Sequence, residues 1–175
     1  EKKLILDYFN EIDTCNIDSL SEVISKYASE NFSMKCTHPF NELGSIDLVA
    51  NNLWKPIKDS FSPIQRRLDI FYAGINSLDK NKGKWISSMG HFMGVFNKPF
   101  VGLKPNYKSI LLRFAEFYKV ENNKISEGAI FLDVMNLMQQ LGLSIIPEST
   151  GLVCVTPGPM NHKGLKFDIS NESES

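Results

Sequence analysis

Apolar positions recur every three to four residues over the first third of the chain and every second residue from about position 65 onward, so the pattern alone divides the sequence into a helical and a strand-forming part. Leu4, Ile5, Tyr8, Phe9 and Ile12 predict an amphipathic helix over residues 2–14. Leu20, Val23, Ile24 and Tyr27 predict a second helix, opened by a capping box in which Ser19 and Glu22 each satisfy a free amide. Residues 32–37 read as a short strand, "HPFNELGS" as a turn, and residues 46–59 as a third helix carrying Leu48, Val49, Leu53 and Ile57. Pro56 lacks an amide proton and is expected to kink or shorten that helix. Then come four runs rich in β-branched and aromatic residues: "RRLDIFYAGINSL", "KWISSMGHFMGVF", "SILLRFAEFYKV" and "KISEGAIFLDV". "ENNK" suits a tight hairpin with positive φ, while "DKNKG" and "NKPFVGLKPNY" are loops. A short helix, "VMNLMQQLG", follows and stops at Gly142. Past Pro147 the chain is turn-rich and ends in the polar tail "DISNESES", which is expected to be disordered. The class is α+β, with N-terminal helices packed on one face of an antiparallel sheet.

Alternation sorts the ionisable groups. In the second run Ser87, Met89, His91, Met93 and Val95 share one face, and Ile86, Ser88, Gly90, Phe92, Gly94 and Phe96 the other. Both faces are largely apolar, which predicts cover on both sides, and the two glycines allow a close backbone approach or a bend. In the third run Glu116 is the one charge among Ile110, Leu112, Phe114, Tyr118 and Val120, with Arg113 and Lys119 on the opposite face. In the fourth, Ile125, Glu127, Ala129, Phe131 and Asp133 share a face. A carboxylate alone in an apolar setting finds a partner or takes up a proton, and one poised near neutrality serves as acid or base. Asp133, Glu116 and His91 are therefore the candidate catalytic groups. Each also has a structural reading: Asp133 as a helix cap, Glu116 paired with Arg66 or Arg67, and His91 as a hydrogen-bonded core residue. Trp54, Trp85, Met89, Phe92, Tyr118 and Phe131 are candidate walls of an apolar pocket. His38, before Pro39, is either a ligand contact or a turn residue, and His162 falls in a loop.

Composition narrows the function classes. A chain of 175 residues fits one domain, and twelve phenylalanines point to a large interior or a lined pocket. A net charge of -1 gives no footprint for nucleic acid or an anionic membrane, and no apolar run has the length of a bilayer span. Cys15, Cys36 and Cys154 are widely spaced and form no C-x-x-C, so neither a disulfide framework nor a zinc site is implied, and a reduced, cytoplasmic setting is expected. No close histidine pair, G-x-S-x-G or phosphate-cradling glycine loop is present, so no metal or cofactor is expected.

The stretch "PFVGLKPNYKSILLRFAEFYKVENNKISEGAIFLDVMNLMQQLG" resembles the SnoaL-like polyketide cyclases of the nuclear transport factor 2-like superfamily. Pro99, Gly102, Pro105, Arg113, Lys124-Ile125, Glu127, Asp133, Leu137 and Gln140-Leu141-Gly142 stand where those proteins carry their motif. "SMGHFMG" and "HPFNELGSIDLV" are similar to their Gly-His strand and to their turn into the third helix. The resemblance spans residues 3–142, which sets a SnoaL-like domain at 1–142 and an extension and tail at 143–175. It implies a cone-shaped half-barrel, helices over a strongly curved antiparallel sheet, an apolar pocket for a small hydrophobic ligand, and a homodimer through the outer sheet face. It also implies acid/base chemistry without a cofactor, with Asp133 matching the family's acid/base residue; taken with the candidate groups above, Asp133 is expected to abstract a proton next to a carbonyl and His91 or Glu116, if protonated, to donate to the enolate. The family often carries His, Trp and Asp after the Glu of its hairpin, where this chain has Gly128-Ala129-Ile130. That difference favours the alternative, a non-catalytic ligand-binding or dimerisation module. Epoxide hydrolysis, known in the superfamily, needs two acids and an arginine, and Arg113 lies on the wrong face for Glu116.

Overall fold

The computed structural model describes residues 1–78, 83–143, 147, 150–151 and 164–167. The expectations for Cys154, His162 and the polar tail lie outside these residues. Helix α1 (Lys2–Thr14) buries Ile5, Tyr8, Phe9 and Ile12, the stripe its spacing foretold. Helix α2 (Leu20–Tyr27) buries Leu20, Ile24 and Tyr27. Its expected capping box does not form: the chain arrives through a 3₁₀ turn at Ile17–Ser19, and the Ser19 side chain caps no amide. Strands β1 (Ala28–Cys36) and β2 (Glu42–Leu43) follow. Next come α3 (Ile46–Val49), a π-helical turn at Ala50–Trp54 and α4 (Lys55–Ser60). The π turn is how the chain accommodates Pro56, which has no proton for the usual i→i−4 bond; the Lys55 amide instead reaches back five residues to the Ala50 carbonyl.

Strands β3 (Phe61–Ile75), β4 (Lys84–Phe96), β5 (Ser109–Glu121) and β6 (Lys124–Leu132) form the antiparallel meander. β5 and β6 are joined by Asn122 and Asn123, both at positive φ, as the hairpin residues predicted. The sheet order is β2-β1-β6-β5-β4-β3, and β1 lies parallel to β6, a pairing the sequence pattern did not foretell. Helix α5 (Val134–Gln140) ends ahead of Gly142, whose φ is +77°. The Gln140 side-chain amide donates to the Leu111 carbonyl at 2.8 Å and accepts from its amide at 3.0 Å, sealing β5 ahead of the point where its pairing with β6 begins.

Among the described residues, the helices cover one face of the sheet and leave the other open. Ile110, Leu112, Phe114, Glu116, Tyr118 and Val120 all face the helices and are buried. The glycines of β4 set the curvature. A Cβ on Gly90 would stand 1.9 Å from the Arg67 carbonyl oxygen, and one on Gly94 2.8 Å from that of Pro63, so β3 folds over β4 more closely than any side chain allows. Bulges between Leu68 and Ile70 and around Ser126 change the alternation, so that Phe71 turns inward while Phe131 is left 54% exposed. Among the described residues no helix is long and apolar enough to cross a membrane.

Candidate functional site

Among the described residues, the covered face carries a charged constellation assembled from α1, β3, β4 and β5. Glu116 projects from β5 into the interior at 0% exposure. Its Oε2 accepts from Arg66 Nη1 at 2.5 Å and from Ser88 Oγ at 3.3 Å. Arg66 comes from β3 with its side chain 3% exposed. Its Nε and Nη2 donate to the two carboxylate oxygens of Asp13, at 2.9 and 3.3 Å, and Asp13 is 27% exposed at the end of α1. The guanidinium carbon lies 4.1 Å from the ring centroid of Phe9, 4.8 Å from Phe92, and 5.3 Å from both Trp54 and Phe114, so aromatic rings supply much of the solvation that water would give. Lys58 holds the end of α1 from α4: its Nζ donates to the carbonyls of Ile12, Asp13 and Cys15 at 2.6, 3.2 and 2.7 Å.

Glu116 Oε1, the hydroxyls of Tyr8 and Tyr118 and the indole nitrogen of Trp54 are buried and close no hydrogen bond. They neighbour one another: the Tyr8 and Tyr118 rings are 5.6 Å apart, and Tyr118 interacts with Glu116 and Tyr8 with Trp54. Buried polar atoms are rarely left so, which makes this group of orphans a polar, unfinished spot of the interior. Burial raises the Glu116 pKa from the usual carboxylate value; Arg66 opposes the shift and Asp13 reinforces it. Burial also pushes both tyrosine hydroxyls upward, helped by the nearby Glu116 charge. Arg66 is held firmly protonated: burial works against its charge, but Glu116 and Asp13 together outweigh it.

The three candidate catalytic groups do not converge. Glu116 is inside. His91 lies on the open face, only 7% exposed, between the Arg67 and Arg113 positions of the neighbouring strands, with Nδ1 3.1 Å from Asp69 Oδ2. Asp133 caps α5, accepting from the Asn136 amide at 2.9 Å, with its other oxygen 3.7 Å from Arg113 Nε. Of the candidate walls, Trp54, Phe92 and Tyr118 surround the Arg66–Glu116 pair, whereas Trp85, Met89 and Phe131 belong to the open face. His38 is exposed in the turn after β1. Arg66 and Arg67 had both been named as partners for Glu116, and alternation along β3 turns Arg66 inward. Asp13 was missed, although it stands four residues after Phe9 and so continues the buried stripe of α1. Among the described residues no three His, Cys, Asp or Glu side chains gather as metal ligands.

The family model for SnoaL-like polyketide cyclases matches residues 80–141, which takes in β4, β5, β6 and α5. No curated protein matches the chain. Among solved structures, AclR from Streptomyces galilaeus, provisionally assigned as a hydroxylase, superposes with a TM-score of 0.64 at 17% identity, over 85% of this chain and 83% of that one. A provisionally assigned SnoaL-like polyketide cyclase from Jannaschia sp. CCS1 gives 0.62 at 14% identity, over 83% and 92%. IdmH from Streptomyces antibioticus, provisionally assigned as a polyketide cyclase, gives 0.62 at 11% identity, over 81% and 97%. The chain therefore has the nuclear transport factor 2-like fold, and its last three strands and final helix carry the SnoaL-like cyclase pattern. Asp13 and Arg66 lie outside the matched segment.

Proposed function

We propose that this SnoaL-like chain performs acid/base chemistry, without a cofactor, on a small hydrophobic carbonyl compound, and that Glu116 is the group that moves the proton. The observation that supports this reading is a fully buried carboxyl with one oxygen held by Arg66 and Ser88 and the other without a hydrogen-bond partner, in an interior where Tyr118 interacts with Glu116. Oε1 takes the proton from the carbon next to the carbonyl, Tyr118 donates to the oxygen on which negative charge develops, and the same Oε1 returns the proton after the new bond or double bond has formed. A carboxyl whose proton affinity is raised by burial suits both steps, and proton transfer of this kind contributes roughly 10²–10⁴-fold. His91 and Asp133, facing away from this spot, serve the fold. Glu116, Tyr8, Trp54 and Tyr118 are each 0–1% exposed, so a substrate reaches the carboxyl only as the surrounding side chains part.

A second reading rests on a specific arrangement. Two acids about one arginine, the set that epoxide opening requires and that Arg113 could not complete, are present as Asp13, Arg66 and Glu116. In that case the acids activate a water and protonate the departing oxygen. Screening small apolar ketones and epoxides for turnover separates the two, with E116Q as the control: loss of about 10²-fold or more in kcat is expected for either chemistry. Full activity in E116Q removes Glu116 from the mechanism. Absence of turnover together with an ordinary Glu116 titration leaves the non-catalytic binding module.

The partner we propose is a second copy, docked on the open face. Trp85, Met89, Phe117 and Phe131 stand there at least partly exposed, and Tyr72, Trp85 and Phe117 wall a cavity of about 390 Å³ over Gly74, Ser87 and Ala129.

A further inference from the structure

We propose that Asp13 is the positioning residue of the interior site: by occupying two donors of the Arg66 fork it leaves Glu116 free to exchange a proton, and it confines the site to uncharged ligands. This rests on the reading of Glu116 as the proton carrier. A guanidinium carries a single positive charge, and here two carboxylates share it. The sharing is unequal. Asp13 makes two hydrogen bonds to Arg66 and touches solvent; Glu116 makes one and is wholly enclosed. The charge that the site cannot support is the one on Glu116, because its desolvation is the greater. Without Asp13, Arg66 would face Glu116 alone and hold it as a fixed carboxylate, a weak base and a poor acid.

The other groups facing Glu116 do not take over this role. From α1 there is Tyr8, from the π turn Trp54, from β4 Ser88 and from β5 Tyr118; the two phenols are kept neutral by burial, and Ser88 and Trp54 carry no charge. Lys58 spends its ammonium on the carbonyls that end α1, which fixes Asp13 in front of Arg66. The same count of charges selects the ligand. Arg66 with Asp13 is neutral, and Glu116 adds either nothing or a negative charge, so the interior never presents a net positive charge to an anionic substrate.

The experiment follows Glu116 in the full chain by ¹³C NMR of labelled glutamate, which needs no substrate. In D13N the Glu116 midpoint is expected to shift downward, in D13E to stay near the wild-type position, and in D13A to fall and then return on addition of formate but not of formamide. A Glu116 midpoint unchanged in folded D13N, or restored equally by formamide, overturns the role of Asp13 and leaves Glu116 as the proton carrier. A wild-type Glu116 that titrates like a solvated glutamate overturns the proton carrier itself. Benzoate, relative to benzamide, is expected to gain at least about tenfold in affinity on going from E116Q, where Asp13 still balances Arg66, to the D13A/E116Q double variant, where neither carboxylate does, since about 1.4 kcal/mol of recovered attraction suffices; no gain removes the selection against anions.

Discussion

Arg66 is the residue on which the interior turns. It joins α1 to β5 through Asp13 and Glu116, and its charge is enclosed by Phe9 and Phe92 as well as by the two carboxylates. Removing one member of a buried ion pair leaves the others uncompensated, so R66M is expected to cost about 3–5 kcal/mol in urea unfolding. E116Q should behave differently, because the amide copies the neutral carboxyl and still accepts from Arg66. The raised pKa of Glu116 fixes the sign of a pH effect. The folded chain binds that proton more tightly than the unfolded chain does, so the stability it contributes is fully present below the ordinary glutamate value and is lost as pH rises through the raised native value. Subtracting the E116Q stability curve from the wild-type curve should leave a difference that favours wild type least at the high-pH end. A difference independent of pH would mean that Glu116 binds its proton equally tightly in the folded and unfolded chains.

Strand β4 shows how an element serves both faces. Ile86, Ser88, Phe92 and Phe96 look into the helix-covered interior, and Trp85, Met89, His91 and Met93 look outward, so a run that reads as uniformly apolar is divided between two environments. The glycines between them are required by backbone, not by flexibility. G90A would drive a methyl group into the Arg67 carbonyl, next to the residue that positions Glu116. It is expected to lower stability by about 3 kcal/mol or more and to disturb the Arg66–Glu116 contact, seen as a changed Glu116 titration in NMR. The helical element at residues 46–60 makes the matching point for the other wall: Pro56 was legible as a disruption, and the π turn converts that disruption into the placement of Trp54 beside Arg66.

At the scale of the whole molecule, the sheet is a partition with a polar cluster on each side. The interior side holds Asp13, Arg66 and Glu116; the open side holds Asp69, His91, Arg113 and Asp133 among half-exposed apolar side chains. The C-terminal segment reaches the free edge of β3, where Leu165 bridges Phe71, the Lys166 amide donates to the Phe71 carbonyl at 2.8 Å and Phe167 lies 5.5 Å from the Phe71 ring. If the open face seats a second copy, sedimentation should show a dimer for the wild type and a shift toward monomer for F131K and for F117K. Wild-type chain sedimenting as a monomer at every concentration tested would remove the second copy as the partner.

Local pattern determined much of this protein. The helical spacing of Ile5, Tyr8, Phe9 and Ile12, the hairpin at Asn122-Asn123, the stop at Gly142 and the inward row from Ile110 to Val120 all follow from periodicity and backbone preference, which act between residues close in sequence. The singular position of Glu116 was legible for the same reason. Tertiary structure alone decided what Glu116 meets. Whether Arg66 or Arg67 turns inward depends on the pairing of β3 with β4, and Asp13 reaches Arg66 only because α1 lies across the sheet, 53 positions away along the chain. The faces of Phe131 and Phe71 were set by bulges, which add one residue to a strand and reverse its alternation without leaving a mark in the hydrophobic pattern. A charge can be located from sequence; its counter-ion, and therefore its chemistry, is fixed by contacts between segments that the chain must first fold to bring together.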